Sequence, residues 1–583
     1  MRHVFALRIL PLIASIAYAV IVLAIAGCDS PASSRPPIPA AAPGQVAPAP
    51  SAPVPVATPP PHAAGPVVPS FEASVKVEAN EVYYTLPKYV WGMKFTGYDN
   101  GRVNDESTKS ADGKTYSELI LDLKMDWLKA AYYARFGTPA EPSIVAQNWK
   151  ILADKIVDAG GAYFPEIHIL PKGFPGSKLP PEDVNNMDDA VGGGGVENVM
   201  AWFDLFAKEK GVDKIRGYEP YNEPCTRTDI SPSKQYWYSK KDGPHPDRKA
   251  ADWATVHQRQ IAIPLMEKYP DLTVCGSAFS APASSYGIAE LTRFIEGYEG
   301  WPWKDNNTKY MTALSIHSYG FSGIKIKGMP AAPDGGQSSI NSYFFPTYDN
   351  PGRKSGYRAA VDKIRTVLEK NGGENVKLAN TEWWALGTKL LDPAAGSRSA
   401  LGDIIGTVVH CQNADKWKFD SISFHASNAS PMASDLSTWT GPEDCMVGIA
   451  NNQLYRPVRY YVAKDIVGKF FNNYKKLVRV QSTSPIGSQG IANNPIDSIQ
   501  ACAGLSEKGD KIAVLIMNAN TQEKGNVTVA FDRVASGTVQ ATILPAAQPI
   551  DTPLPVKMID VKNNQVSLTI DPAGAVLLEA SLQ

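Results

Sequence analysis

Past residue 70 the chain moves between two hydrophobic rhythms. Short apolar runs rich in β-branched and aromatic residues recur at 89–95, 127–135, 162–168, 215–222, 272–277, 312–317, 376–382 and 420–425. Between them apolar positions return every three to four residues, the period of a helix with one buried face. In 144–158 the residues Ile144, Ile151, Leu152 and Ile156 share a face, and Gly160-Gly161 stops the run. In 357–370 Ala360, Ile364 and Leu368 do the same ahead of Gly372-Gly373. The stretches 196–210, 253–268, 288–298, 401–413 and 457–471 behave alike, and the first crossover, 117–123, has the weakest periodicity. Eight strand–helix units in order predict an α/β fold, the (β/α)8 TIM barrel. A doubly wound open sheet is the alternative, but no glycine-rich phosphate loop follows the first strand.

From about residue 472 the helical period disappears. Short alternating runs at 512–517, 527–531, 539–544, 566–570 and 575–580, bounded by turn-prone residues, predict a C-terminal antiparallel β-sandwich. The stretch 71–85 also alternates and is placed to pair with that sandwich. The expected division is a targeting segment at 1–27, a tether at 28–70, a barrel at 71–471 and a sandwich at 472–583.

The first 70 residues alter the picture of where this body works. Arg2, His3 and Arg8 precede an apolar run over 9–26, which closes on Ile25-Ala26-Gly27-Cys28. This junction resembles the lipobox of bacterial lipoproteins. The resemblance implies cleavage before Cys28, lipidation of that residue and a cell-envelope location, periplasmic or on the outer surface. An ordinary cleaved signal or a membrane anchor are the other readings of the same run. Residues 30–70 are mostly Pro, Ala, Gly and Val and read as an extended tether.

Charge is balanced, 57 basic against 58 acidic residues, and no long basic run occurs, so nucleic acid is not an expected partner. Cys225, Cys275, Cys411, Cys445 and Cys502 are scattered without a CxxC. A disulfide among them is compatible with an oxidising compartment, its pairing unreadable from sequence. Metal-ligand spacing is absent, and no metal or cofactor is called for.

The candidate chemistry sits at the ends of the predicted strands, where such barrels carry their sites. The second strand ends in Arg135, the third in His168, the fourth in Asn222-Glu223, the sixth in His317 and Tyr319, the seventh in Glu382-Trp383-Trp384, and the eighth in His425. Two carboxylates converging from different strands are what glycosidic bond cleavage requires: one acid/base, one nucleophile or base. Indole rings beside the second fit the C–H faces of a sugar. Trp383 or Trp384 is the expected platform, since alternate strand residues face opposite ways. Glu219, four residues before Glu223 and without a preceding asparagine, competes for the acid/base role, and Glu166 reads as a structural charge or a subsite residue. His168 and His425 divide between core histidines and ligands of sugar hydroxyls. Trp127 reads as core.

Asn222-Glu223-Pro224 at the fourth strand with Thr381-Glu382-Trp383 at the seventh resembles the signature of glycoside hydrolase clan A. Barrel followed by sandwich is most similar to families 39 and 51. The resemblance implies a carbohydrate substrate, Glu223 as acid/base, Glu382 as nucleophile and Asn222 as donor to the sugar 2-hydroxyl. It likewise implies Arg135 supporting the nucleophile, and His317 and Tyr319 contacting substrate and nucleophile. The segment around Arg135 departs from the fuller glycine-rich sequence of family 51. A retaining enzyme needs its carboxyls roughly 5–5.5 Å apart, and a guanidinium beside Glu382 would keep it ionised. The expectation is a membrane-tethered retaining glycosidase. Its rivals are a catalytically inactive carbohydrate-binding protein on the same fold and a structural envelope lipoprotein.

Overall fold

The computed structural model describes residues 68–95, 101–129, 136–167, 195–220, 250–280, 285–297, 306–319, 340, 343–344, 356–384, 393–425, 445–485, 496–533 and 537–582. Eight short parallel strands form one sheet. Numbered in chain order they are Trp91–Lys94, Trp127–Lys129, Ala162–Phe164, Gly217–Tyr218, Thr273–Ser280, Ala313–Tyr319, Lys377–Trp384 and Phe419–Phe424. Their spatial order runs three, two, one, eight, seven, six, five, four. Two parallel bridges, Tyr163 to Ile215 and Glu166 to Glu219, then bring strand three against strand four and close the ring. The fold is a TIM barrel.

The barrel interior is layered by the two-residue period of its strands. Trp127, Ala162, Phe164, Cys275, Ala313 and Ala379 form an apolar floor, with the rings of Trp127 and Phe164 4.5 Å apart. Trp127 fits only because its neighbour on strand one is Gly92, where a Cβ would lie 2.4 Å from the indole. Two residues further along strands one and two the inward positions are Lys94 and Lys129, so a charged layer lies directly on the apolar floor.

The helices cover the outer face of the sheet and share with it the largest apolar core. Helix Ile144–Asp158 begins at Ser143, whose hydroxyl accepts the Ala146 N–H at 3.1 Å. The weakly periodic first crossover is nonetheless helical over Tyr116–Asp122, held by a capping box between Thr115 and Glu118. The stretch predicted as one helix over 457–471 is instead Val458–Val462, a π-helical Ala463–Gly468 and Lys469–Asn473. Gly468 there lies against Trp91, where a Cβ would stand 2.6 Å from the ring.

The chain's end forms a nine-stranded sheet wrapped around a second core, the β-sandwich. Strand Ser70–Thr85 lies inside it, antiparallel to Lys476–Thr483 on one side and parallel to Lys524–Phe531 on the other. The sheet is therefore mixed rather than purely antiparallel. A strand that arrives from before the barrel has no hairpin turn to fix its direction. The same strand ties the two parts together: Tyr83 donates to the Cys411 carbonyl, and Tyr84 to the Phe419 carbonyl at 2.6 Å. Cys275, Cys411 and Cys502 are buried free thiols, and Cys445 is buried as well. Among the described residues no helix is long and apolar enough to cross a membrane.

Candidate active site

Strand seven delivers Glu382 through a break in its own alternation. Against strand six, Ile316 pairs with Asn380 and His317 with Glu382; against strand eight, Ile422 pairs with Asn380 and Phe424 with Trp383. Both neighbours therefore skip a residue after Asn380, a β-bulge. The inserted residue inverts which side chains face the axis, a common use of bulges beside active sites. Thr381 still reaches inward, within 2.5 Å of the Ser315 hydroxyl, and Glu382 now does so as well.

The same inversion sends Trp383 outward, and this corrects its expected role as a sugar platform. Its indole N–H donates to the Gly402 carbonyl at 2.9 Å, and its ring packs edge-on against Tyr357 and His410. Gly406 leaves it room, since a Cβ there would lie 2.6 Å from the indole nitrogen. Trp383 anchors strand seven to the helical layer. Behind the same strand, Tyr357 donates to His410 Nε2 at 2.9 Å, and the Asn380 amide lies 3.0 Å from the Tyr357 hydroxyl.

Glu382 has no solvent exposure, and its surroundings are ionic. Lys94 donates to Oε1, and so does Lys129 at 3.0 Å. His317 Nδ1 stands 3.3 Å from Oε2. That oxygen accepts no hydrogen bond among the described residues. Burial alone pushes the Glu382 carboxyl up, but the positive charges of His317, Lys129, Lys94 and His425 more than reverse it and hold it well below the usual carboxylate range.

Lys129 is the centre of this layer. Its ammonium lies 2.9 Å from Glu166, 2.6 Å from Glu219 and 3.0 Å from Glu382, carboxylates of three different strands. Burial would deprotonate it, but the three carboxylates hold its pKa well above that of an ordinary lysine. Glu219 also accepts the Ser315 hydroxyl at 2.8 Å and faces His317 Nε2 at 3.4 Å. Burial pushes its carboxyl up, while Lys129 and His317 carry it far below the usual range. Below the apolar floor a second buried pair, Arg216 with Asp420, links strand four to strand eight.

The structure thus brings together Glu382, His317 and His425 from the sequence candidates, and Glu219 and Glu166 join them as partners of Lys129. Lys94 and Lys129 were missed. Their signal was a lysine within a strand otherwise apolar, two positions from an inward residue. Asn222, Glu223, Arg135, His168 and Cys28 lie outside the described residues. Tyr319 and Trp384 are described as strand backbone only.

No family model and no curated protein matches the chain. Solved structures do. An α-L-arabinofuranosidase from Thermotoga maritima superposes with a TM-score of 0.57 at 12% identity, covering 88% of this chain and 100% of its own. AbfB, a family 51 α-L-arabinofuranosidase from Bifidobacterium longum, gives 0.60 at 11%, with coverage of 88% and 100%. CelM2, a bifunctional glucanase-xylanase from a metagenome library, gives 0.54 at 13%, again covering 88% and 100%. At these identities the likeness is one of fold: a TIM barrel with a C-terminal β-sandwich.

Proposed function

We propose that the protein is a retaining glycoside hydrolase that cleaves O-glycosidic bonds of a polysaccharide or oligosaccharide outside the cytoplasm. The observation that carries this reading is Glu382: a carboxylate at the end of strand seven, buried, held ionised, with one oxygen fastened and the other free of hydrogen bonds among the described residues. That is the state a nucleophile must be in before it attacks an anomeric carbon. Glu223 is the acid/base in this reading, in the Asn222-Glu223-Pro224 motif four residues beyond Glu219. Glu223 protonates the leaving oxygen as Glu382 Oε2 forms the glycosyl ester; water, deprotonated by Glu223, then releases the sugar. Asn222, Arg135, His168, Tyr319 and Trp384 stand as proposed substrate contacts beside His317 and His425. The similar structures include an α-L-arabinofuranosidase and a bifunctional glucanase-xylanase, so arabinofuranosides, glucan and xylan are the first to test.

A panel of aryl glycosides and β-linked polysaccharides, scored with wild type, Glu382→Gln and Glu382→Gly, tests the reading. Turnover by wild type, loss of at least about a thousandfold in both variants, and rescue of Glu382→Gly by azide are expected. A wild type inactive on every substrate it binds would favour a catalytically inactive carbohydrate-binding protein. The two lysines on Glu382, which dampen its nucleophilicity, are the observation on that side. Location is proposed separately: a lipid anchor at Cys28, followed by the proline-rich tether. Acyl chains on residue 28 of the mature protein, lost in Cys28→Ser, are the expected mass-spectrometric result.

A further inference from the structure

Resting on the glycosidase reading, we infer that Lys129 is a positioning residue that selects Oε2 of Glu382 as the attacking atom and ties the nucleophile's strand to the strand of the acid. An ammonium has three protons and no acceptor. Lys129 donates to Glu219 at 2.6 Å and to Glu382 at 3.0 Å, and its ammonium also lies 2.9 Å from Glu166 and 3.4 Å from His317 Nε2, so it joins groups beyond strands three and four to strand seven. Lys129 and Lys94 take the same oxygen of Glu382, Oε1. The carboxylate is thereby fixed about its terminal torsion, and Oε2 is the oxygen left to react. The same ammonium holds Glu219 beyond strand four, so strands four and seven share one cation. A residue serving only to neutralise charge would need neither the single-oxygen attachment nor the link between strands four and seven. The charged and titratable groups around Glu382 among the described residues are Lys94 of strand one, Lys129 of strand two, Glu219 beyond strand four, His317 of strand six and His425 beyond strand eight. Glu166 reaches it through Lys129.

The test uses two variants of the full chain. Lys129→Met/Glu219→Gln removes one positive and one negative group, leaving the layer's net charge unchanged. Lys129→Arg keeps the charge but replaces three tetrahedral donors with a planar fork. For the double variant the expected results are a folded protein and a Glu382 carboxyl, followed by ¹³C NMR against its Glu382→Gln counterpart, titrating at least one unit higher than in wild type. The acidic limb of kcat/KM should move up with it. For Lys129→Arg, kcat should fall at least tenfold while KM and the acidic limb stay near wild type. A folded double variant with an unmoved Glu382 titration, or Lys129→Arg with wild-type kcat, would overturn the assignment and leave Lys129 a counter-ion. Should wild type hydrolyse nothing, the glycosidase reading fails on its own, and the NMR titration still reads whether Lys129 governs Glu382.

Discussion

At the scale of residues, chemistry here is set by who shares a cavity layer with whom. A carboxyl with no water around it is normally neutral; Glu382 is not, because burial is outweighed by His317, Lys129 and Lys94. The folded value is depressed, so Glu382 stabilises the fold above the ordinary glutamate range, and that stability is lost as pH falls through the folded value. Kinetics follow the same sign. The acidic limb of kcat/KM reports the group that must be ionised, and it should lie below the ordinary glutamate pKa of 4.5. A limb above that value would mean that another group controls it. Trp383 offers an opposite test. It packs behind strand seven, so Trp383→Phe should leave KM within about twofold of wild type while lowering stability by roughly 1 kcal/mol, the net worth of the bond lost to the Gly402 carbonyl. A large rise in KM with unchanged stability would return Trp383 to the sugar. The strand-end carboxylate Glu382 was readable from sequence because its neighbours, Thr381 and Trp383, are unusual. The sign of Trp383 was not. One inserted residue decides which side chains face in, and nothing in the letters Asn380-Thr381-Glu382-Trp383 marks the bulge.

At the scale of elements, strand seven is held from behind by a chain of buried polar groups. His410 Nδ1 donates to the Gly406 carbonyl at 2.6 Å, and Nε2 receives the Tyr357 hydroxyl, whose oxygen meets Asn380. Burial, opposed by the bond to Gly406, lowers the His410 pKa from 6.5 to about 4. Between these two values the unfolded chain binds a proton that the folded chain refuses, so stability must fall as pH drops through this window. At 1.36 kcal/mol per unit the full loss is roughly 3 kcal/mol. Urea unfolding midpoints measured from pH 7 to 4.5 should show this slope in wild type and a flatter one in His410→Asn; equal slopes would reject the assignment. Elements differ in how legible they were. The helices 144–158 and 357–370 matched their expected bounds because a glycine stop ends each, although in the first Ile144 is exposed and the buried face runs through Val145, Trp149, Leu152 and Ile156. Strand Ile499–Leu505 was passed over. It is buried on both faces and built from Ile499, Ala501, Cys502, Ala503 and Gly504, so neither alternation nor β-branched residues announced it.

At the scale of the whole molecule, barrel and sandwich are one construction. Strand Ser70–Thr85 is laid into the nine-stranded sheet between Lys476–Thr483 and Lys524–Phe531 before the barrel begins, and its tyrosines reach barrel carbonyls. From the other side Lys469 and Tyr474 both bind Glu579, the tyrosine at 2.8 Å. Removing residues 68–85 would open a row of backbone groups on both flanking strands. The truncated chain should fail to accumulate as soluble protein, whereas removal of residues 1–67 should leave a folded body with the same unfolding midpoint. A soluble, cooperative Δ68–85 chain would show that the sandwich closes without it. Fold class was legible at this scale because eight repeats of one rhythm average out local error; the parallel seating of the first strand was not, since only tertiary contacts fix it.

The central claim is that Glu382 is the nucleophile of a retaining glycosidase. It is tested most directly by trapping the glycosyl ester. Wild-type protein is incubated with activated 2-deoxy-2-fluoro glycosides of glucose, xylose and arabinofuranose, and its peptides are then sequenced by mass spectrometry. The account predicts one sugar attached to Glu382, absent after its change to Gln. A sugar attached to Glu219 or Glu223 instead, with Glu382 unmodified, would contradict it.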